Sequence, residues 1–486
     1  MKKIFLFLML AFTVGACTDD FEDDLIDTKN PTVVPATALF SNAQRNLVDQ
    51  MTTPNVNSGI FRLLSQQWAN TTYPEESRYD LVNRSIPQNF WFTLYRDVLM
   101  DLREAKIIIT ADETFQDANQ KANQLAITEI MEVYTWQILV DTYGDIPYTE
   151  ALDPDNVYPA YDDAAEIYDD LFTRLDAALA TLNAGEGSAS FGGADLIYNG
   201  NVSKWIKFGN SLKLKMAVTI ADVEESQAKA AAEAAAPHVF TSISDNAAFA
   251  YTPATPNVNP IWSNLVQSKR NDFVAANTII DIMNELNDPR RDPYFTEVEK
   301  GGYVGGTYGD YNTYSVFSHV DPVITAPDFE ALLMSYSEVE FYLAEAAARN
   351  FDVSGSAESH YNAGIRASMR YWGVPQAEIN AYLAQPDVNY TSALAAADGG
   401  WREVIGLQEW IAFYNRGWEA WTTFRRLDYP QLQAPAAEFN PEFDVVPTRY
   451  TYPETEAVLN RENYQSVANE IEGGDVATSR VFWDVD

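Results

Sequence analysis

The sequence predicts a mostly α-helical protein built from antiparallel helical hairpins joined by long irregular loops, and three observations carry that expectation. Apolar residues recur at helical spacing through most of the chain; hairpin-sized units repeat one pattern of small and large residues; and a broad stretch from Phe240 to His319 mostly loses the helical period. The clearest unit runs from Pro327 to Pro375. In its first helix Leu332, Tyr336, Val339, Leu343 and Ala347 form one stripe, with Asp328 and Glu330 placed where a helix N-terminus favours negative charge. Gly355 and Ser356 break the chain, and Ala357, Tyr361, Gly364, Ile365, Ser368 and Trp372 share a face of a second helix that stops at Gly373 and Pro375. The short turn makes the two helices antiparallel neighbours. Ala344, Ala347, Ala357 and Gly364 beside Leu343 and Tyr361 let them approach closely, which is the packing logic of tetratricopeptide hairpins. A hairpin of this kind cannot bury its own faces, so neighbours of the same kind are expected.

The other elements follow in order. Lys2 and Lys3, the apolar run Ile4 to Val14, and Gly15 and Ala16 before Cys17 read as an export signal over residues 1–16 that ends in a lipobox. That run is too short to span a bilayer permanently, so membrane attachment is assigned to lipid on Cys17. Cys17 is the only cysteine, which excludes intrachain disulfides and cysteine-based metal sites. An acidic tether from Thr18 to Asp24 follows, giving a lipidated and tethering segment over 17–35 and a single helical body over 36–486. Helical patterns run from Ala36 toward Trp68 with a break at Thr53 and Pro54, from Phe90 to Ile109, and from Ala118 to Tyr143, where Gly144 and Pro147 stop it. Asp162 or Asp163 caps the next helix, whose face is Ala164, Ile167, Tyr168, Leu171, Leu175, Leu179 and Leu182. After the glycine-rich loop Gly185 to Gly200, Trp205, Phe208, Leu212, Met216 and Ile220 carry another helix, and an alanine-rich one reaches Ala236. Trp401 to Trp421 is read as one helix, and Pro430 to Asp486 as irregular with aromatic anchors.

Charge and motifs exclude several chemistries. A formal charge of −38 makes nucleic acid a poor partner. The three histidines, His238, His319 and His360, have no metal-ligand spacing, and His360 reads as a packed or surface histidine. There is no nucleophile elbow, phosphate loop with its lysine, EF-hand loop or zincin helix, so no cofactor or metal is assigned. Calcium has carboxylates to choose from but no ordered ligand pattern. Seventy acidic residues leave room for a glycosidase pair that sequence alone cannot select, so an all-helical glycoside hydrolase stands as an alternative.

Aromatic residues are the positive signal, at 13% of the chain with 11 tryptophans and 27 tyrosines, and most of them must be core. Trp205, Trp410, Trp418 and Trp421 belong to helical faces and are assigned there. The exceptions stand in loops beside planar polar groups: Trp68 with Asn70, Tyr73 and Arg78; Trp262 with Asn264 and Arg270; and Tyr303, Tyr308, Tyr311 and Tyr314 among glycines. A pyranose stacks its C–H face on such rings while its hydroxyls need paired donors and acceptors. Trp68 is therefore assigned to ligand contact, Trp262 fits ligand or core, and one of the four tyrosines is expected to reach a ligand.

With these residues in view the chain resembles the SusD/RagB family of outer-membrane lipoproteins. The resemblance rests on the lipobox at Cys17, Gln67 to Tyr73, Tyr143 to Tyr148, and Asp195 to Tyr198 leading into Lys204 to Phe208. It continues through Tyr336 to Val339, Ala344 to Ala347, Gly417 to Trp421, Arg425 to Pro430 and Pro447 to Pro453. It implies about four tetratricopeptide-like hairpins, a ligand surface on long loops, no catalysis, and a surface lipoprotein that binds nutrient as a lid over a SusC-like TonB-dependent transporter. The ligand set it suggests here is an arc of aromatics from Trp68, Tyr73, Trp262 and Tyr303 or Tyr308, alongside Asn70, Arg78 and Arg270. The expected ligand is a glycan, with a neutral β-glucan such as laminarin favoured by the negative charge; a peptide or other nutrient on the same scaffold is the remaining alternative.

Overall fold

The computed structural model describes residues 34–436 and 444–485. The expected export signal, Cys17 and the acidic run after it lie outside the described residues. Among the helices are α1 (Ala36–Thr52), α2 (Met100–Ala111), α3 (Ala118–Tyr143), α4 (Ala164–Ala184), α5 (Val202–Thr219) and α6 (Glu225–Ala235). They continue with α7 (Asn277–Glu285), α8 (Tyr336–Ala348), α9 (Ala357–Tyr371), α10 (Gly400–Ala412) and α11 (Gly417–Leu427). Four consecutive pairs, α3 with α4, α5 with α6, α8 with α9 and α10 with α11, pack as hairpins, and α1 lies against α2. The fold is thus mostly helical and of the kind the sequence implies.

Local chemistry explains the boundaries. Asp163 caps α4 by accepting from the Ala165 and Glu166 amides, and Asp117 caps α3 by accepting from Asn119. Gly144 ends α3 at φ 84°, a conformation that side chains resist. In the α8–α9 hairpin the close approach is visible at Gly364, where an added Cβ would sit 3.0 Å from the Phe341 ring.

The α8 boundary departs from expectation. The helix begins at Tyr336, behind a capping box in which the Ser335 hydroxyl accepts from the Glu338 amide at 3.2 Å and the Glu338 carboxylate accepts from the Ser335 amide at 3.2 Å. Residues Ala331–Met334 instead form strand β4, which pairs antiparallel with β2 (Ala247–Phe249). Leu332 therefore leaves the helical stripe, and Asp328 and Glu330 precede a strand. Trp401 to Trp421 is two helices, separated at Asn415, which stands at φ 69° with its amide donating to the Gln67 side chain at 3.1 Å; Gly417 then lies against the backbone near Phe61 and Arg62, where a Cβ would be 2.4 Å from the Arg62 nitrogen. The tail also holds two helices, Glu454–Leu459 and Arg461–Glu470.

One continuous buried cluster runs through the hairpins, and Trp205, Trp410, Trp418 and Trp421 all sit in it. His360 is half-buried, its Nδ1 2.6 Å from the Glu340 carboxylate. Charges cross the same interior in matched sets. The Arg416 guanidinium donates to Glu338 at 2.7 Å and Glu419 at 2.9 Å, with Lys215 3.5 Å from Glu338. Arg426 pairs with Glu345 and, at 3.0 Å, with Glu409. Burial pushes the Glu409 carboxyl up to about 8, against the hydrogen bond from Thr423.

Two outcomes follow. The folded state holds a proton on Glu409 between about pH 4.5 and 8 that the unfolded chain has lost, so this group's contribution to stability falls as pH rises through that window. Urea unfolding across it is expected to show a flatter pH slope for Glu409→Gln than for the native chain. Gly417→Ala is expected to lose about 1–3 kcal/mol in the same assay, because backbone rather than a flexible side chain must move.

Candidate ligand-binding site

The site grows from a two-stranded pairing between distant loops. Strand β1 (Trp68–Asn70) lies antiparallel to β3 (Phe273–Ala275), and the Thr71 amide extends the ladder to the Asp272 carbonyl at 2.9 Å. Past the ladder the chain turns outward: Tyr73 stands at φ 57° and is 59% exposed, a strained and solvent-facing position for a large apolar ring. The short helical turn Glu76–Arg78 brings the chain back. Opposite stands the turn after α1, Pro54 to Asn57, whose Asn55 side chain accepts from the Asn57 amide at 3.0 Å. A π-helical turn, Trp262–Gln267, forms the third wall.

These walls enclose an open cavity of about 650 Å³. Asn55, Asn57, Asn70 and Asn264 supply amides, Tyr73, Leu265 and Phe273 supply apolar surface, and Glu76, Arg84, Arg270 and Asp272 supply charge. The charge is balanced within the site: Arg84 pairs with Glu76, and Arg270 with Asp272 at 2.6 Å. Burial raises the Glu76 carboxyl above its ordinary value despite Arg84. Asn70 is positioned rather than mobile, since its side-chain oxygen accepts from the Ser77 hydroxyl and its carbonyl from the Asn312 amide at 2.8 Å.

The residues expected from sequence divide. Asn70, Tyr73 and Arg270 come together in this cavity. Arg78 lies beside it, with Nε donating to the Gly309 carbonyl at 2.7 Å and its guanidinium 5.4 Å from the centre of the Tyr311 ring. Trp262 sits on the π-helical wall and is half-buried, but its neighbours Ser263, Asn264 and Leu265 face the cavity in its place. Trp68 is corrected from ligand contact to core. It is 1% exposed, packs on Phe273, carries the Arg62 guanidinium over its ring at 5.1 Å, and donates from Nε1 to the Tyr414 hydroxyl at 3.2 Å. Tyr308 is likewise buried, its hydroxyl donating to the Leu63 carbonyl at 2.8 Å. Tyr303 lies apart from the cavity lining, half-buried, with its hydroxyl donating to Asp292 at 2.6 Å. Asn55 and Asn57 were not expected; the Pro-Asn-Val-Asn run after a helix break is their one sequence signal.

A second cavity of about 690 Å³ lies near the C-terminal tail, but its Tyr143 and Tyr452 are buried and Asp145, Asp163, Glu470, Glu472 and Asp484 make its lining predominantly acidic. Among the described residues no group of histidine, cysteine and carboxylate side chains is arranged to hold a metal ion, and no helix is long and apolar enough to cross a membrane.

The two aromatic positions predict opposite behaviour. Trp68→Ala is expected to cost about 3–5 kcal/mol in denaturant unfolding, as a buried tryptophan should. Tyr73→Ala is expected to stay within about 0.5 kcal/mol of the native chain.

The fold is shared with known proteins. The SusD-like family profile, described as starch-binding and associating with the outer membrane, matches residues 28–453. A chitin-binding protein of known structure is 27% identical, with a TM-score of 0.79 over 93% of this chain and 100% of its own. A chitin-binding SusD homologue from Flavobacterium johnsoniae is 25% identical, with a TM-score of 0.77 over 92% of this chain and 98% of its own. A SusD homologue from Bacteroides uniformis is 28% identical, at a TM-score of 0.77 over 92% and 99%. A comparison with curated proteins finds no match. With the profile spanning most of its length and the hairpin architecture shared over nearly all of it, the chain belongs to the SusD-like family.

Proposed function

We propose that this protein is a cell-surface lipoprotein that captures a neutral glycan and delivers it to a TonB-dependent outer-membrane transporter. The observation that carries the reading is the cavity beside Tyr73, where an exposed ring and four asparagines surround charges that cancel in pairs. A pyranose stacks on the ring and exchanges its water hydrogen bonds for amide donors and acceptors, while a polyanion would gain no net attraction there. The strongly negative chain disfavours polyanions further. Lipid on Cys17 would hold the protein at the outer membrane, in keeping with the family description.

Binding without catalysis is favoured because Glu76 and Asp272, the two carboxylates of the cavity, are each committed to an arginine. A glycoside hydrolase needs one carboxylic acid and one carboxylate free to face the glycosidic bond. A neutral β-glucan such as laminarin suits the charge balance. The two chitin-binding relatives favour a second ligand, a chain of N-acetylglucosamine units, whose acetamido group asks for the amide donors and the Leu265 and Phe273 surface together.

Calorimetry on the form starting after Cys17, against laminarin, chito-oligosaccharides, a polyanionic glycan and a peptide mixture, tests this with reducing-end release followed in the same samples. Binding heat for one neutral glycan without product is the expected result, with Tyr73→Ala weakening it about tenfold or more. Product formation, or heat from the peptides alone, would sink the proposal.

A further inference from the structure

Tyr311 is 63% exposed, whereas the other tyrosines of its loop are occupied: Tyr303 by Asp292, Tyr308 by burial, and Tyr314 by stacking on the His319 ring at 3.8 Å. An exposed tyrosine is ordinary by itself; what sets this one apart is how firmly it is held. The Asp310 carboxylate accepts from the Tyr311 amide at 2.7 Å. The next residue, Asn312, is buried, and its side-chain amide donates to the carbonyls of Asn70 at 2.8 Å, Thr307 at 3.0 Å and Asp310 at 3.0 Å. The loop is thereby fastened to a residue that lines the cavity. One face of the Tyr311 ring lies under the Arg78 guanidinium, itself held by the Gly309 carbonyl.

We propose that Tyr311 forms an outer subsite for a polymeric ligand, so that the protein reads a glycan chain rather than a single sugar; this rests on the glycan reading above. Asn312, the residue after Tyr311, is tied to Asn70 of the cavity wall, and Arg78, five residues after Tyr73, covers the Tyr311 ring, so a chain leaving the cavity between these loops would meet Tyr311. Arg78 lies over one face of the ring, and the 63% exposure of Tyr311 leaves surface for a pyranose C–H face. A ring already fixed loses little conformational freedom when a sugar covers it, so the contact adds affinity that a free side chain would not. Arg78 is then a positioning residue, and Tyr311 the contact that rewards a longer chain.

Titration of chitobiose, chitohexaose, laminaribiose and laminarihexaose into the native protein, Tyr311→Ala and Tyr311→Phe tests this. In the series that binds, the hexasaccharide is expected to bind about tenfold tighter than the disaccharide, with Tyr311→Ala cutting that gain to about twofold and Tyr311→Phe keeping it. An unchanged gain in Tyr311→Ala overturns the subsite, as does equal loss in Tyr311→Phe, which would assign the effect to the hydroxyl. Equal weakening of both chain lengths also overturns it, since Tyr311 would then act on the cavity or the fold. Silence from the native protein in both series defeats the glycan reading itself, which distinguishes that failure from loss of length dependence alone.

Discussion

A buried cation must be matched by carboxylates or by several oxygen acceptors, and the order of the hairpins depends on the carboxylate matches. Arg416 precedes α11, yet its partners Glu338 and Glu419 come from α8 and α11, and Lys215 reaches Glu338 from α5. Arg426 joins α11 to α8 through Glu345 and to α10 through Glu409. Helical hairpins with generic apolar faces can slide along one another; a guanidinium buried between them cannot, because moving one turn leaves charge unpaired at a cost of several kcal/mol. The network thus specifies which hairpin stands beside which, more than it adds to stability.

That scaffold explains why irregular loops can carry a defined cavity. Residues 54–84, 262–275 and 303–318 have little regular structure of their own, but each is tied to another: β1 to β3, Asn312 to Asn70, and Gly306 to Ala275 through the carbonyl of the latter. Gly306 is required there, since a Cβ would meet the Asn312 side chain at 2.6 Å. Gly305, whose Cβ would meet the Asn277 backbone at 2.4 Å, and Gly306 therefore serve close packing of backbone and amide.

The hairpins were legible because their stripes are long and their caps conventional, so α3, α4 and α9 could be placed from residues alone. Legibility failed where a short apolar run had two outcomes. Ala331 to Met334 continues the stripe of α8 in sequence but pairs with β2 in space, and the Ser335–Glu338 capping box was the available signal for the true start. The tail helices escaped notice because they bury little; Val467 is the one buried residue of Arg461–Glu470. The cavity was half legible. Its polar composition around Asn70, Tyr73 and Arg270 follows from loop chemistry, but no local pattern tells that the Trp68 ring points inward while Tyr73 points out. That difference is made by β1 meeting β3 some 200 residues later in the chain, consistent with the Thr71 bond to Asn271.

The inward and outward rings are parts of one design. Trp68 is pinned by Arg62, Phe273 and the Tyr414 hydroxyl, and Tyr308 by the Leu63 carbonyl, so both loops are rooted in the core by an aromatic a few residues from the exposed one. Tyr73 lies five residues after Trp68, and Tyr311 three after Tyr308. A loop rooted in this way holds its outer ring with little remaining freedom, so a weak stacking contact is not cancelled by ordering the loop. It also separates two roles that composition merges: in an aromatic-rich chain the buried ring gives position, and under the proposed reading the exposed ring beside it gives contact. Under the proposed capture and transfer, several modest stacking contacts would also be reversed more readily than binding in one deep and tight pocket.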